Sequence, residues 1–313
     1  MRNKGLDVLK TICAFLIVCI HAPFPAEIGE YFTALTRIAV PIFFMITGFY
    51  YQREKENRQI IKILKLTISA NVLFFGFGLL VSFLKKTQML YLKQNFSVNS
   101  LIKFIVFNDS PFAPHLWYLS SILYVLVIVK FIKPERLYFL IPILLAGDLV
   151  LGKYSLLILG REFPYVLVRN FLFVGLPYFL IGYLIRQKDL AHIKKKKLVF
   201  ATIVFIFTTL LERFILVYLG LNSARDHYLS STLLAITLFI LFYNVSCEHK
   251  TLSAFSVVGK RYSTMIYIIH PMIITILSIF VSNVIYQITA PFIVFVLALT
   301  TSFCYKKITN KKS

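Results

Sequence analysis

The stretch KTICAFLIVCIH, from Lys10 to His21, decides the fold class of this chain. Between its first and last residues it is apolar except for Thr11, Cys13 and Cys19, as is typical of a membrane-spanning helix. The whole chain has this character, since 58% of its 313 residues are hydrophobic, 16% are aromatic and its mean hydropathy is +0.79. A soluble domain cannot bury so much apolar surface, so the sequence predicts an all-α, polytopic integral membrane protein.

Further apolar stretches long enough to cross a bilayer follow along the chain. They predict about ten transmembrane helices in a single transmembrane domain that covers residues 1–313. The predicted spans are residues 6–22, 31–50, 62–84, 115–132, 137–151, 165–185, 198–219, 229–245, 263–285 and 289–305. Asp7 and Lys10 interrupt the pattern of a cleaved signal peptide, so we expect the first span to be retained as a helix.

Charge is the second strong signal, because the chain has 34 lysines and arginines, 13 acidic residues and a formal net charge of +21. In a soluble chain this excess would suggest nucleic acid, but here the basic residues lie in short segments between apolar runs, mostly in every second segment. The run KKKK at 194–197 belongs to this asymmetry. We therefore expect a multi-pass protein of the cell membrane, surrounded by membrane lipids, with both termini in the cytoplasm and no nucleic-acid partner.

The longest connection between predicted spans runs from Lys85 to Pro114. It mixes aromatic residues with few charges, as in FSVNSLIKFIVFNDSPFAPH. This composition predicts that the connection packs in the outer bilayer interface as a short helix that caps a cavity.

Two ionisable side chains, Lys10 and His21, lie in the first predicted span. On an α-helix, eleven residues at 100° each return to within about 20° of one face, about 16 Å further along the axis. An ionisable group in hydrocarbon costs about 2.5–3.5 kcal/mol on insertion scales, so a shared face indicates a polar cavity or a partner inside the bundle. Two alternatives stay open, namely that Lys10 reaches the inner headgroups and that His21 is a structural imidazole in the outer interface.

Several other polar residues fall in the outer parts of predicted spans. They are Arg37, His115, Asp148, Arg169, Glu212 and Arg213. Each alone is compatible with a structural ion pair or an interfacial anchor, but together they predict an outward-facing polar cavity. His270 is expected in the inner half of the ninth span, where Pro271 loosens the backbone, and its alternative role is a structural histidine satisfied by a neighbouring hydroxyl.

Sequence motifs of soluble enzymes and metal sites are mostly absent. The chain has no Walker loop and no GxSxG, HExxH or His-x4-Asp sequence, and its four cysteines show no CxxC spacing. The sequence therefore predicts neither a disulfide framework nor a metal site.

Four segments, in order along the chain, resemble the acyltransferase-3 family of ten-helix membrane proteins. RNKGLDVLKTICAFLIVCIH resembles the opening of the family, with its basic-x10-His motif at Lys10 and His21, and RIAVPIFFMITGFYY resembles the second-helix signature. HLWYL and GKRYSTMIYIIHPMI resemble two later signatures. The chain departs from the family at Lys10, where arginine is more common, and at Thr47, where serine usually precedes the glycine.

The resemblance implies transfer of an acyl group, commonly acetyl, from cytoplasmic acyl-CoA to a hydroxyl of a surface glycan, a lipid-linked saccharide or a related envelope molecule. Acyl-CoA would be a co-substrate, with no permanently bound cofactor. The expected catalytic residues are His21, as general base or transient acyl carrier, together with Arg37 and Glu212. Those expected to bind acyl-CoA are Lys10, Asp7 and His270, and those expected to bind the acceptor are His115, Trp117, Tyr118, Arg169 and Arg213.

A second function follows from the same resemblance. The membrane half of the vancomycin-resistance serine racemases belongs to this family, resembles the chain in HLWY and VPIFFMITG, and is associated with serine uptake. The alternative prediction is therefore a transporter of a small, serine-like amino acid. A third is a catalytically silent protein of envelope assembly or sensing.

Overall fold

The computed structural model of the protein describes residues 2–188, 193–281 and 284–310. In these ranges the chain is helical and contains no β-strand, which confirms the predicted all-α fold. The helices are α1 Lys4–His21, α2 Ala26–Thr36, α3 Ala39–Phe49, α4 Glu56–Leu84, α5 Gln88–Asn95, α6 Val98–Phe107, α7 Trp117–Phe131, α8 Leu140–Leu151, α9 Ser155–Leu159, α10 Tyr165–Val168, α11 Leu176–Lys188, α12 Lys195–Tyr218, α13 Leu229–Tyr243, α14 Lys250–Arg261, α15 Ser263–Phe280 and α16 Val284–Asn310. Short 3₁₀ turns cover Arg53–Lys55, Pro114–Leu116 and Pro134–Leu137, and a π-helical turn covers Phe171–Gly175.

Helical segments, some made of consecutive shorter helices, are long and apolar enough to cross a bilayer. Within the described residues there are seven, at Ala26–Phe49, Arg53–Leu84, Pro114–Phe131, Tyr165–Lys188, Lys195–Tyr218, Ser263–Phe280 and Tyr286–Thr309. The other three predicted spans correspond to α1, which carries three charged residues, and to the shorter apolar helices α8 and α13. The polytopic architecture is therefore confirmed; residues 282 and 283 of the predicted ninth span lie outside the described ranges.

Large apolar side chains are exposed along the long helices. Five that are more than half exposed are Val72, Phe83, Phe200, Phe207 and Phe280. Such a surface would be unfavourable in water but is stable in hydrocarbon, so lipid is the medium that the helices fit.

The described residues form two compact units. The first lies within 1–43, 189–222 and 226–313, and the second within 44–188 and 223–225. In the first unit, α1 packs against α2, α13, α14, α15 and α16. The helix that contains the opening stretch is thus the centre of its unit.

Helix α14 runs antiparallel along α1. Gly259 permits the contact, because a Cβ there would lie 1.8 Å from the Asp7 carbonyl oxygen. One turn further along α1, the Thr11 hydroxyl donates to the Phe255 carbonyl at 2.6 Å. The span pattern leaves 246–262 as a connection, since the twelve residues of α14 mix basic, polar and apolar side chains and are too few to cross a bilayer.

The second predicted span is divided into α2 and α3. Pro41 has no backbone N–H to donate to the Arg37 carbonyl, and its ring crowds that carbonyl. Helix α2 therefore ends at Thr36 with Arg37 as its C-cap, and α3 begins at Ala39. The break places Arg37 at a helix end in the first unit.

In the second unit, a buried asparagine organises the end of α6. Asn108 adopts a left-handed conformation with φ of 54°, which asparagine tolerates better than most residues. Its amide donates to the Trp117 carbonyl at 3.1 Å and accepts from the Phe171 N–H at 2.9 Å. Asn108 therefore joins α6, the start of α7 and the π-helical turn.

The long connection between predicted spans contains α5 and α6. The Tyr91 hydroxyl of α5 donates to the Phe75 carbonyl of α4 at 3.3 Å, and Phe96 and Phe112 pack against the Phe75 ring at 5.8 and 5.2 Å. Both helices line an apolar cavity, where the sequence predicts one short helix that caps a cavity. The interfacial location of the connection stays a prediction.

Candidate functional site

A charged cluster surrounds Asp7 at the N-terminal end of α1. The Asn3 side chain caps this helix by accepting from the Leu6 N–H at 2.9 Å. Asp7 is 1% exposed, and it accepts hydrogen bonds of 2.7 and 2.8 Å from the Arg2 guanidinium. The Lys10 ammonium lies 3.9 Å from the same carboxylate. A buried carboxylate requires such partners, and because two cations face one anion, the cluster keeps a positive charge.

His21, the last residue of α1, is exposed. Because α1 is unbroken, Lys10 and His21 lie on nearly the same face, about 16 Å apart along the axis. The His21 ring lies 5.1 Å from the His270 ring of α15, with an angle of 47° between the planes. An exposed imidazole and a buried one therefore meet in the first unit.

His270 is fully buried in the interior of α15. Its Nδ1 lies 3.2 Å from the Ile266 carbonyl oxygen. A carbonyl oxygen can only accept a hydrogen bond, so Nδ1 carries the proton. In the neutral ring, Nε2 is then the acceptor nitrogen.

The predicted difference in depth between His270 and His21 is wrong. The sequence places His270 in the inner half of its span and His21 in the outer third of the first span, whereas the two rings are in contact. Counting residues along each helix assumes that α1 and α15 begin at the same level. Helix α15 instead follows α14, which packs back along α1, so its starting level cannot be read from hydropathy.

Arg37 forms an ion pair with Asp226, with 2.6 Å between Nη1 and Oδ1. The two side chains are 27% and 13% exposed, so both are largely enclosed. Asp226 lies just before α13, and both residues belong to the first unit. The charge of Arg37 is therefore partly compensated.

Glu212 and Arg213 hold other elements of the first unit. Glu212 accepts from the backbone N–H groups of Leu229 and Ser230, each at 3.1 Å, and from the Ser230 hydroxyl. These groups begin α13, so the carboxylate caps that helix. Arg213 donates to the backbone carbonyl and the carboxylate of Glu30 in α2. Both contacts position helices, and the predicted catalytic role of Glu212 and acceptor-binding role of Arg213 stay predictions.

Arg169 lies in an aromatic cluster of the second unit. Its guanidinium carbon is 5.4 Å from the centre of the Trp117 ring and 4.3 Å from that of Tyr165. The Asp109 carboxylate lies 4.0 Å away. Burial raises the pKa of the Asp109 carboxyl, and the charges of Arg169 and Lys103 act in the opposite direction. Two residues predicted to bind the acceptor, Arg169 and Trp117, thus lie together.

The remaining two predicted acceptor residues make packing contacts in the second unit. The buried His115 ring packs edge-on against Phe74 at 4.8 Å, and the Tyr118 ring does the same against Phe44 at 4.8 Å. These contacts fix the entry into α7. Binding of an acceptor by either side chain stays a prediction.

The acidic partners of the arginines were not found from the sequence. Asp226 pairs with Arg37, and Glu30 pairs with Arg213. With only 13 acidic residues against 34 basic ones, an acidic residue beside an apolar span is itself a sign of a pair with an intramembrane arginine. The position of such an acidic residue indicates that it pairs with an arginine, but it does not identify the arginine.

The predicted site residues divide between the two units. The first unit holds Asp7, Lys10, His21, Arg37, Glu212, Arg213 and His270, and the second holds His115, Trp117, Tyr118 and Arg169. In the part of the chain that the structure describes, no three His, Cys, Asp or Glu side chains come together to hold a metal ion. The histidine pair is the feature best suited to proton transfer.

Comparison with known proteins agrees with the sequence signatures. A family model described as "Acyltransferase domain" matches residues 3–306. The chain is 29% identical over 140 residues to a serine/alanine racemase of Enterococcus gallinarum, covering 39% of this chain and 18% of the racemase. It is 28% identical over 138 residues to an amino-acid racemase of Enterococcus faecalis, covering 38% and 18%. The aligned region thus spans less than a fifth of the length of each of these relatives. No solved structure matches the chain.

Proposed function

The chain belongs to the acyltransferase-3 family of multi-pass membrane proteins, and from this premise we propose that it transfers an acyl group, commonly acetyl, from acyl-CoA to a hydroxyl of a cell-surface glycan or lipid-linked saccharide. The observation that carries the proposal is the contact between the exposed His21, on the same helix as Lys10, and the buried His270 of α15, whose ring centres are 5.1 Å apart. In this proposal the protein lies in the cell membrane with both termini in the cytoplasm.

The reaction requires a base for the acceptor hydroxyl. An imidazole nitrogen of His21 takes the hydroxyl proton while the acceptor oxygen forms a bond to the acyl carbon. The thioester C–S bond breaks, and the departing sulfur of coenzyme A receives the proton, so the products are the ester and the free thiol. His270, whose Nδ1 donates to a backbone carbonyl, holds the His21 ring in place as a positioning residue.

The donor would bind at the Asp7 cluster. Lys10 and Arg2 offer cationic donors to the phosphates of acyl-CoA, and the buried Asp7 holds both side chains in position. Arg37 is proposed to stabilise the developing oxyanion through the positive charge of its guanidinium group.

The proposed function is tested by mass spectrometry of surface glycans from cells with and without the gene. We expect an acyl mass increment on the glycan that is lost on deletion and restored by the intact gene. Glycans of unchanged mass in both strains, together with no turnover of acyl-CoA by the purified protein, would contradict the proposal.

Replacing Lys10 is expected to weaken binding of acyl-CoA. Loss of a charged hydrogen-bond donor costs roughly 1.5–3 kcal/mol, so Lys10→Ala should raise the Kd for acetyl-CoA by about 10- to 100-fold. Lys10→Arg keeps the charge and should stay within about threefold of the parent. The measurement is isothermal titration calorimetry, with Lys4→Ala, the exposed lysine at the start of the same helix, as the matched control. If Lys4→Ala and Lys10→Ala weaken acetyl-CoA binding equally, Lys10 contributes only general electrostatic attraction.

One observation favours a second candidate, transport of a small amino acid. The two curated relatives are named as racemases of serine and alanine or of amino acids, and the aligned region is less than a fifth of each. Uptake of labelled serine into vesicles that contain the purified protein and no acyl-CoA would support this candidate. Acylation of a glycan in the same vesicles, without uptake, would support the acyltransferase.

A further inference from the structure

The second unit contains an apolar cavity of about 660 Å³ between α4, α7 and the helices α5 and α6. This volume lies in the range of about 300–1,000 Å³ that is typical of small-molecule sites. Leu64, Ile68 and Val72 line it and are between 40% and 63% exposed, so the cavity opens at the outward surface of α4. Both α4 and α7 belong to segments apolar enough to span a bilayer, and the opening therefore faces lipid.

The dimensions of the cavity fit one lipid chain. Its lining extends along α4 from Leu64 to Phe75, a separation of eleven positions or about 16 Å of helix. One leaflet contributes half of a hydrocarbon core of about 30 Å, or roughly 15 Å. The cavity lining thus matches the thickness of one leaflet, which one acyl chain spans.

A buried hydroxyl lies at one end of this cavity. Ser120 lines it near the start of α7 and is 3% exposed. Its Oγ has no hydrogen-bond partner among the described residues. A buried hydroxyl without a partner is costly, and the ester carbonyl of a lipid is an acceptor that would satisfy it.

The connection that borders the cavity is basic. The connection from 85 to 114 has four lysines, Lys85, Lys86, Lys93 and Lys103, and one acidic residue, Asp109. Lys93 and Lys103 lie on α5 and α6, the two helices of this connection that line the cavity. Lysines at a membrane surface attract anionic headgroups.

We propose that this cavity binds one acyl chain of an anionic glycerophospholipid, with the ester group at Ser120 and the phosphate beside Lys93 and Lys103. The proposal is independent of the acyl transfer proposed above, because it concerns the second unit alone. It predicts that a lipid remains bound after purification. The selectivity for this lipid should depend on the charge of its headgroup as well as on its acyl chain.

Native mass spectrometry of the full chain in detergent tests the binding. After delipidation, phosphatidylglycerol or phosphatidylcholine with identical acyl chains is added. We expect one phosphatidylglycerol to bind in preference to phosphatidylcholine. In the variant Lys93→Gln/Lys103→Gln, the ratio of the two affinities should fall by about fivefold for each lysine replaced. Equal binding of the two phospholipids would overturn the proposal, as would displacement of phosphatidylglycerol by a polyisoprenyl phosphate at equal concentration.

Two adjacent serines give a matched pair of variants. Ser120→Ala should weaken phosphatidylglycerol binding by about three- to tenfold. Ser121 is also buried, and its hydroxyl also has no partner among the described residues, but it does not line the cavity, so Ser121→Ala should bind like the parent. Equal effects of the two substitutions would place the ester elsewhere and contradict the proposal.

The parent protein provides a test that needs no variant. Its one tryptophan, Trp117, lies one helical turn before Ser120. Phosphatidylglycerol brominated near the ester end of its acyl chains should quench Trp117 fluorescence more than brominated phosphatidylcholine does. The same quenching by both lipids would mean that the cavity holds only bulk lipid and would overturn the proposal.

Discussion

His21→Ala is expected to reduce acyl transfer by about 10²- to 10⁴-fold, the usual contribution of general acid–base catalysis. His21 is exposed at the end of α1, where an acceptor hydroxyl can reach it, and an imidazole nitrogen can accept the proton of that hydroxyl. His21→Gln keeps hydrogen bonding but cannot take up a proton, so it should be nearly as inactive. The measurement is the single-turnover rate of acyl transfer to the glycan identified by mass spectrometry.

The controls for His21 separate catalysis from folding. Expression and acetyl-CoA binding should stay near those of the parent, because removal of a polar group at a helix end does not hinder membrane insertion. His249, the N-cap of α14, provides a matched control: His249→Gln should leave the rate unchanged. Full glycan acylation by His21→Gln would make the imidazole structural and would refute the catalytic assignment.

Gly259→Ala is expected to destabilise the protein by about 1–3 kcal/mol, the usual cost of overpacking. The added Cβ would lie 1.8 Å from the Asp7 carbonyl oxygen, and backbone atoms cannot move aside as a flexible side chain can. Helices α1 and α14 must therefore separate, which also disturbs the cluster around Asp7. The measurement is the thermal unfolding midpoint in detergent, read by loss of helical circular dichroism.

Gly76→Ala is the matched control for this substitution. Gly76 also lies inside a helix, α4, but a Cβ there would meet nothing within 4 Å. Alanine is favoured over glycine in helices by about 1 kcal/mol, so Gly76→Ala should be neutral or stabilising. A lower midpoint for Gly76→Ala than for Gly259→Ala would show that the contact between α1 and α14 has little effect on stability.

The sequence predicts well those parts of the fold that depend on local composition. Long apolar stretches define their own helices because backbone groups in lipid must bond within the segment, and the break before Ala39 follows from Pro41 alone. The unbroken α1 likewise fixes the shared face of Lys10 and His21. These features require no information from distant residues.

The parts that were missed depend on contacts between distant residues. Asp226 is 189 residues from Arg37 in the sequence, and nothing near either residue identifies the other. The depth of His270 depends on α14, whose packing against α1 is made possible by the absence of a side chain at Gly259. Hydropathy records neither an ion pair nor a close approach of two backbones.

The packing of α14 against α1 also determines where the chain can be cut or extended in the laboratory. A hydropathy plot would recommend residues 246–262 as a connection suited to an epitope tag, a protease site or a reporter enzyme. An insertion between Lys250 and Arg261 would force α14 away from its partner, so a reporter there would describe a damaged protein rather than the orientation of the native one. Reporters are better joined within Arg53–Lys55, a short turn with no buried residues between α3 and α4.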